Sequence, residues 1–480
     1  MKKGEIYAGE VRELAFPNKG IACVDGVDVV VKNTLPGQEI SFILNKNKPG
    51  LKEGRLKEII READTETLPG CSVCRTCGGC VYQTIPYEEE LKLKNKMVRD
   101  ILGKALKQHP DVFAETVCEQ SGAGKPEQTM LDQVYEGITG SPEIAGYRNK
   151  MEFSFGNEVK DGPITLGMHT PGHFMDVINT PNCNIVDADF RAVRAYVLSH
   201  ARENDLSFYH RYSNTGFLRN LLIRKGIHTG EILVDIVTTS ERSIDREELV
   251  RGIGGLKLEG TVVGILHTVN DGVADVVKDE GTEVFFGRDF LYDELLGLRF
   301  KISSFSFFQT NTNGAEILYT RAKEYIGSAV GSNAGVVYDL YSGTGTIAQV
   351  ISGSAARVYG VEIVPEAVEA ARINTGLNRI DNTEFICGDV LKVLDDIKEK
   401  PDLIILDPPR DGVNPKALRK ILDYGVENIL YISCKITSLA RDLHPIIEAG
   451  YIPKRISVID MFPRTTGMET ICLLSNGVQN

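Results

Sequence analysis

Apolar residues at alternate positions mark five short stretches in the first 60 residues, 4–11, 19–25, 27–32, 39–45 and 54–60, and predict β-strands. Asp25-Gly26, Pro36-Gly37 and Pro49-Gly50 supply turns among them. From Tyr87 to about Gln108 the pattern becomes helical, with Leu91, Met97, Ile101 and Leu102 on one side. Residues 121–143, rich in Gly, Pro, Gln and Glu, predict a loop or insertion. From about Gly146 to Phe300, strand-like runs such as 150–155, 221–225, 232–238 and 262–269 predict a mixed or antiparallel α+β domain.

After Gly335 the pattern changes again. Apolar runs at 336–340, 357–361, 384–386, 403–406, 429–432, 453–459 and 470–474 alternate with helical segments such as 365–377 and 415–422. This alternation predicts a doubly wound α/β sheet whose ligand sites lie beyond the strand C-termini. No helix separates the last two strands, which predicts a terminal antiparallel hairpin.

A chain of 480 residues has room for about two to four domains. No run of about 18 apolar residues is present, and the N-terminus lacks a signal-peptide core, so a cytosolic protein without membrane contact is expected. The net charge of −12 excludes a generic nucleic-acid coat but not an enzyme with a local basic patch. The first 60 residues escape the acidity, with ten Lys and Arg against eight Asp and Glu. Lys46, Lys48, Lys52, Arg55 and Lys57 cluster there. Five short strands suggest a small OB-type barrel, read either as an oligonucleotide binder or as a structural cap. Of ten cysteines, four fall between Cys71 and Cys80, which favours metal binding or catalysis over disulfides.

The chemistry gathers in the last third. Tyr341-Ser342-Gly343-Thr344-Gly345-Thr346 follows a strand and opens a helix, where glycines let the backbone approach a ligand. A dinucleotide fold is the competing reading, although Ala348 stands where its third glycine belongs. Glu362, 19 residues after Gly343, can hold ribose hydroxyls, and Asp389 can face an adenine edge. Acidic strand ends at Asp339, Glu362 and Asp389 suit S-adenosylmethionine better than a pyrophosphate, which they would repel. Asp407-Pro408-Pro409-Arg410 ends the fourth strand. Cys434 ends the fifth, and Glu469 follows 35 residues later. A thiol, a carboxylate and a one-carbon donor at one sheet edge point to methylation of a carbon that is not itself nucleophilic.

Together these residues resemble the RNA uracil-5-methyltransferase family. The likeness runs through Tyr147 to Phe153, Phe307-Phe308-Gln309-Thr310-Asn311, Tyr341 to Thr346, Glu362, Asp407 to Arg410, Tyr431-Ile432-Ser433-Cys434 and Asp460-Met461-Phe462-Pro463. The resemblance implies a Rossmann-like class I methyltransferase domain, an N-terminal TRAM barrel of the OB type, and a central α+β domain carrying the cysteines. It implies that Cys434 adds to C6 of uracil, that Glu469 removes the C5 proton, and that Gln309 and Asp407 hold the base and line the cofactor pocket. Two features depart from the family: Lys435-Ile436 follow the cysteine in place of Asn-Pro, and Arg464 and Gly467 replace histidines.

By spacing alone, Cys71, Cys74, Cys77 and Cys80 resemble a ferredoxin loop more than two zinc knuckles, with zinc or free thiols as the alternatives. The family's iron–sulfur branch implies Cys71, Cys77, Cys80 and the remote Cys183 as ligands of a [4Fe–4S] cluster, leaving Cys74 spare. Radical methylation is disfavoured because the cysteine run precedes the glycine loop by over 250 residues.

The expected organisation is a barrel at 1–60, a central domain from 61–86 and 121–300, a helix at 87–120 packing on the catalytic domain, and a methyltransferase domain at 301–480. The expected activity is 5-methyluridine formation in RNA by a monomer, 23S ribosomal RNA being favoured. Transfer RNA as substrate, or a catalytically weak RNA-binding or iron–sulfur protein, are the alternatives.

Overall fold

The structure, a computed structural model, describes residues 1–109, 130–273, 281–331 and 334–477. Its first five strands, β1 (Ile6–Ala15), β2 (Lys19–Val24), β3 (Val27–Lys32), β4 (Glu39–Lys48) and β5 (Leu51–Arg61), close into a barrel in the order β1-β2-β3-β5-β4. Val11, Ala22, Val29, Val31, Ile40, Phe42 and Leu44 fill it. Gly54 is required by that filling, because a Cβ there would lie 2.4 Å from the Phe42 ring.

A short strand, β6 (Tyr135–Thr139), precedes the central sheet. That sheet comprises β7 (Lys150–Gly156), β8 (Thr165–Thr170), β9 (His173–Asn179), β10 (Leu218–Lys225), β11 (Glu231–Thr238), β12 (Thr261–Val269) and β13 (Thr282–Gly287), in the order β13-β12-β11-β10-β7-β8-β9. Only the β11–β12 pair is parallel. Helices Ala188–Glu203 and Arg246–Gly254 bury Val193, Val197, Leu249 and Ile253 together with Phe153, Leu221 and Ile236 of the sheet. Asp187 caps the first of them, accepting from the Asp189 and Phe190 amides.

The hairpin β14 (Phe290–Leu295) and β15 (Leu298–Ser303) leads into the helix Thr312–Val330. Then come β16 (Ala334–Leu340), β17 (Ala355–Glu362), β18 (Thr383–Cys387), β19 (Leu403–Leu406), β20 (Asn428–Ser433), β21 (Tyr451–Ile459) and β22 (Glu469–Asn476). The sheet order is β18-β17-β16-β19-β20-β22-β21-β6. Every residue of β19 and β20 is buried, as parallel strands covered on both faces demand. β22 inserts antiparallel between β20 and β21, so the expected terminal hairpin is present.

Two boundaries differ from expectation. Residues 121–143 were expected as a loop within the central domain; 121–129 lie outside the described residues, but β6 pairs in parallel with β21 and extends the catalytic sheet. Buried Tyr135 anchors it by donating to Asn95 of the helix Tyr87–Leu106 (2.6 Å). The β14–β15 hairpin, expected with the central sheet, contributes Leu291, Leu295, Phe300 and Ile302 to the core beneath the catalytic sheet. The helix Tyr87–Leu106 packs Val98 and Leu102 against the other face of that sheet; 110–120 of its expected span lie outside the described residues.

Candidate active site

The glycine loop turns sharply where β16 ends. Tyr341, Gly343 and Gly345 take φ of 67°, 54° and 73°. At Gly345 a Cβ would meet the Phe385 ring at 2.5 Å and Ala371 at 2.9 Å, so no larger residue fits. Asp339 is fully buried; one carboxylate oxygen accepts from the Ala348 amide (3.0 Å) and the other has no protein partner. Glu362, ending β17, accepts from the Gly343 amide (3.0 Å) and the Val364 amide (2.9 Å), which fixes the loop against it. Asp389 caps a short helix through the Leu391 amide (3.0 Å). Thr346 opens the helix after the loop, and Thr344 donates to the Phe307 carbonyl (3.0 Å).

Two apolar residues at this rim were missed as site residues. Ile363, beside Glu362, is 64% exposed, and Phe307 is 63% exposed near Gly343. Exposed apolar surface of this kind suits a planar ring. Exposure is a property of the fold, so sequence gave no signal for Ile363; the motif containing Phe307 did point to the neighbourhood.

β20 and β22 bring the thiol and the carboxylate together. Ser433 pairs with Thr470, so Cys434 and Glu469 each lie one residue beyond that rung, close enough for the Glu469 charge to act on the thiol. Burial, with the charges of Glu469 and Asp407 adding to it and Arg410 opposing, pushes the Cys434 thiol up to about 11. Burial, with Asp407 beside it, also holds the Glu469 carboxyl well above the usual carboxylate range, again against Arg410. Burial lifts Asp407 to about 7. Burial and then Asp407 lift Asp339 to about 8. Buried Tyr319, hydrogen-bonded by the Gln309 side chain, feels the charges of Asp407, Glu469 and Asp339, so these three carboxyl groups surround one space.

The upstream motifs assemble that space. The Asn149 side chain donates to the Gln309 carbonyl and to Thr312 Oγ1 (both 2.8 Å). Asn311 donates to the Met461 carbonyl (2.9 Å) while capping the helix Thr312–Val330. Tyr147 donates to the Pro463 carbonyl (2.9 Å).

The cysteine loop lies next to the terminal motif. The Val81 and Tyr82 amides, directly after Cys80, donate to the Arg464 carbonyl (2.8 and 3.1 Å). The Arg464 guanidinium returns hydrogen bonds to the Tyr82 and Ile85 carbonyls (3.2 and 2.7 Å), and its amide donates to Glu90 (2.8 Å). Gly467 packs where a Cβ would lie 2.6 Å from the Phe462 ring.

Cys71, Cys77, Cys80 and Cys183 lie within electrostatic range of one another. Burial pushes Cys80 up to about 12, with the charges of Cys183, Cys77 and Cys71 adding to the shift. Burial also raises Cys183, with Cys71 and Cys77 contributing. Cys74 is coupled to Arg75, Cys71 and Glu66, and its charge also raises Cys77, but it is not among the groups acting on Cys80 or Cys183. Among the described residues the cysteines are unbridged, and no three His, Cys, Asp or Glu close up as around a single metal ion.

Comparison with known proteins sets the chemistry in context. Residues 266–477 match the family model described as tRNA (uracil-5-)-methyltransferase. A Clostridium tetani protein described as an uncharacterized RNA methyltransferase is 40% identical over 471 residues, covering 98% of both chains. A Clostridium acetobutylicum protein of the same description is 41% identical over 478 residues, 100% of this chain and 99% of the relative. The crystal structure of Pyrococcus abyssi tRNA (uracil-54, C5)-methyltransferase with S-adenosyl-L-homocysteine shares the fold: TM-score 0.73, 23% identity, 98% of this chain and 100% of that one. By sequence, this chain belongs to the RNA (uracil-5-)-methyltransferase family.

Proposed function

We propose that the protein methylates C5 of a uridine in RNA, with 23S ribosomal RNA as the favoured substrate. The observation that carries this is that Cys434 and Glu469 flank the same rung of β20 and β22, with the charges of Asp407 and Arg410 acting on both. Uracil C5 is a poor nucleophile. Addition of the Cys434 thiolate to C6 pushes the ring electrons onto O4 and makes C5 an enolate carbon. S-adenosylmethionine, when bound, supplies an electrophilic methyl group. Glu469 then takes the C5 proton, the C5–C6 double bond re-forms, and the thiolate leaves. Arg410 is the cation that favours both the thiolate and the ionised carboxylate, and the target base must leave its stack to reach them.

Asp339, with an orphaned carboxylate oxygen, and the strained turn at Gly343 and Gly345 fit a small polar ligand. Tyr341, Gly343, Gly345, Thr346, Glu362 and Asp389 would hold the cofactor, with Gln309 and Asp407 between it and the base. The mutual electrostatic coupling of Cys71, Cys77, Cys80 and Cys183 supports a [4Fe–4S] cluster, which these four thiolates would hold. Its role is structural in this reading, since the loop carrying Cys80 grips Arg464 of the terminal motif. The cytosol is the compartment in which such thiols stay reduced.

Transfer RNA is the second reading, favoured by the description of the matching family model. Incubation with methyl-labelled cofactor and total RNA separates them: label in large ribosomal RNA supports the first, label in transfer RNA the second, and label in neither overturns both.

A further inference from the structure

We propose that the hairpin formed by residues 208–215 is a stacking platform for unpaired nucleotides of the RNA substrate, outside the methyl-transfer site; this rests on the RNA-methylation reading above. Phe208, His210 and Tyr212 occupy alternate positions of this hairpin and form a ladder of rings. The Phe208 and His210 centroids are 5.8 Å apart at 30°, and those of His210 and Tyr212 are 6.4 Å apart at 36°. Phe208 packs on the core of the central sheet, whereas Tyr212 is 83% exposed. Each ring is therefore backed by the one beneath it, and the outermost presents a free face to solvent.

The backbone holds that face in place. The His210 amide donates to the Thr215 carbonyl (2.7 Å) and the Asn214 amide to the His210 carbonyl (2.8 Å). Tyr209 donates to the Asn214 side chain (2.9 Å), which secures the turn where Asn214 takes a φ of 53°. Little ordering cost remains for a ligand to meet. Cations flank the ladder. The Arg219 guanidinium lies 4.3 Å from the Tyr209 ring centre, and Arg211 reaches His169 (3.3 Å). Glu241 is turned to the hairpin's base, where it accepts from the Gly216 amide (2.6 Å).

A rigid aromatic stack with adjacent arginines is the chemistry that holds unpaired RNA. Its position fits a strand that also reaches the active site. The hairpin precedes β10, whose eight residues span roughly 23 Å at about 3.3 Å each. At the far end, Arg224 donates to the Ser304 and Ser306 carbonyls, immediately before Phe307 at the active-site rim. A uridine drawn into the site thus leaves its neighbours, several nucleotides away, within reach of Tyr212.

The test uses the full chain, its Tyr212→Ala and Tyr212→Phe variants, and the RNA fraction that the wild-type protein methylates. Tyr212→Ala should raise KM for RNA about tenfold with kcat unchanged, and Tyr212→Phe should behave as wild type, because stacking needs only the ring. A wild-type KM in Tyr212→Ala overturns the platform and leaves the methylation reading intact. So does loss of a co-purifying protein without any change in KM, which would make the hairpin a protein-docking surface. If the wild type methylates no RNA, filter binding of total RNA decides: binding that Tyr212→Ala weakens and Tyr212→Phe keeps supports the platform alone, and any other result removes it.

Discussion

Lys94 donates to Asp460 (2.7 Å) across 366 residues of sequence, with both side chains fully buried. The same ammonium also donates to Glu90 (2.7 Å), and Tyr87 donates to the other Asp460 oxygen (2.9 Å). Burial lifts Glu90 to about 7, the Asp460 charge adding to it and Lys94 opposing both. Removing the cation strands two carboxylates where water cannot reach them. Lys94→Met should therefore lower stability by about 3–5 kcal/mol, read as a shift in the urea midpoint. The Lys94→Met/Asp460→Asn double variant should recover part of that loss. A single variant as stable as the wild type would show that the network is not desolvated.

The proximity of Cys434 and Glu469 predicts two separable defects. Cys434→Ala should abolish methyl transfer and form no covalent conjugate with RNA containing 5-fluorouridine. Glu469→Gln should add to the base and transfer the methyl, then stall, because nothing removes the C5 proton. The expected sign is a protein–RNA conjugate with natural RNA that survives a denaturing gel. Free RNA from Glu469→Gln at the wild-type turnover rate would assign the base elsewhere.

The pH dependence follows from raised values. Cys434 and Glu469 both act deprotonated; burial raises both, and the Cys434 thiol, at about 11, keeps its proton at neutral pH. Single-turnover methylation should climb as pH rises above 7, and the thiolate fraction should grow about tenfold per unit until pH approaches about 11. Alkylation of Cys434 by iodoacetamide, in a background lacking the exposed Cys387, follows the same ionisation. Arg410 lowers the thiol's value, so Arg410→Ala should slow alkylation at any fixed pH below that range. A flat profile between pH 7 and 9 would contradict this electrostatic picture.

Gly345→Ala tests the loop. A methyl group 2.5 Å from Phe385, on a residue with a φ of 73°, must displace either the loop or the ring. S-adenosylhomocysteine binding by calorimetry should weaken at least tenfold, consistent with a cost of about 1–3 kcal/mol for strain of this kind. Unchanged affinity would place the cofactor elsewhere.

The cysteine proposal is checked by colour. Protein purified without oxygen should absorb in the visible with four irons bound, and Cys183→Ser should lose that absorption while Cys74→Ser keeps it. A colourless protein containing zinc defeats the assignment.

The catalytic sheet was legible because β19 and residues 429–432 of β20 are continuous apolar runs, which have few other uses. The candidate site residues Asp339, Glu362, Asp407 and Cys434 could be read in order because each lies at or just beyond the end of a strand. β6 escaped notice because its partner, β21, lies more than 300 residues later and a short strand carries little periodicity of its own. Lys94 read as one more charge on a charged helix, since its partner Asp460 sits at the opposite end of the chain. Arg464 was visible only as a departure from a family pattern. The fold shows it to be a tie, linking the terminal motif to carbonyls beside the cysteine loop.

The placement of β22 has a consequence for synthesis. Because residues 469–476 form the strand between β20 and β21, a ribosome that has not yet released them holds a nascent polypeptide whose sheet is split by an open slot. That intermediate also lacks Glu469. The proposed base therefore reaches the site only with the strand that fills the slot.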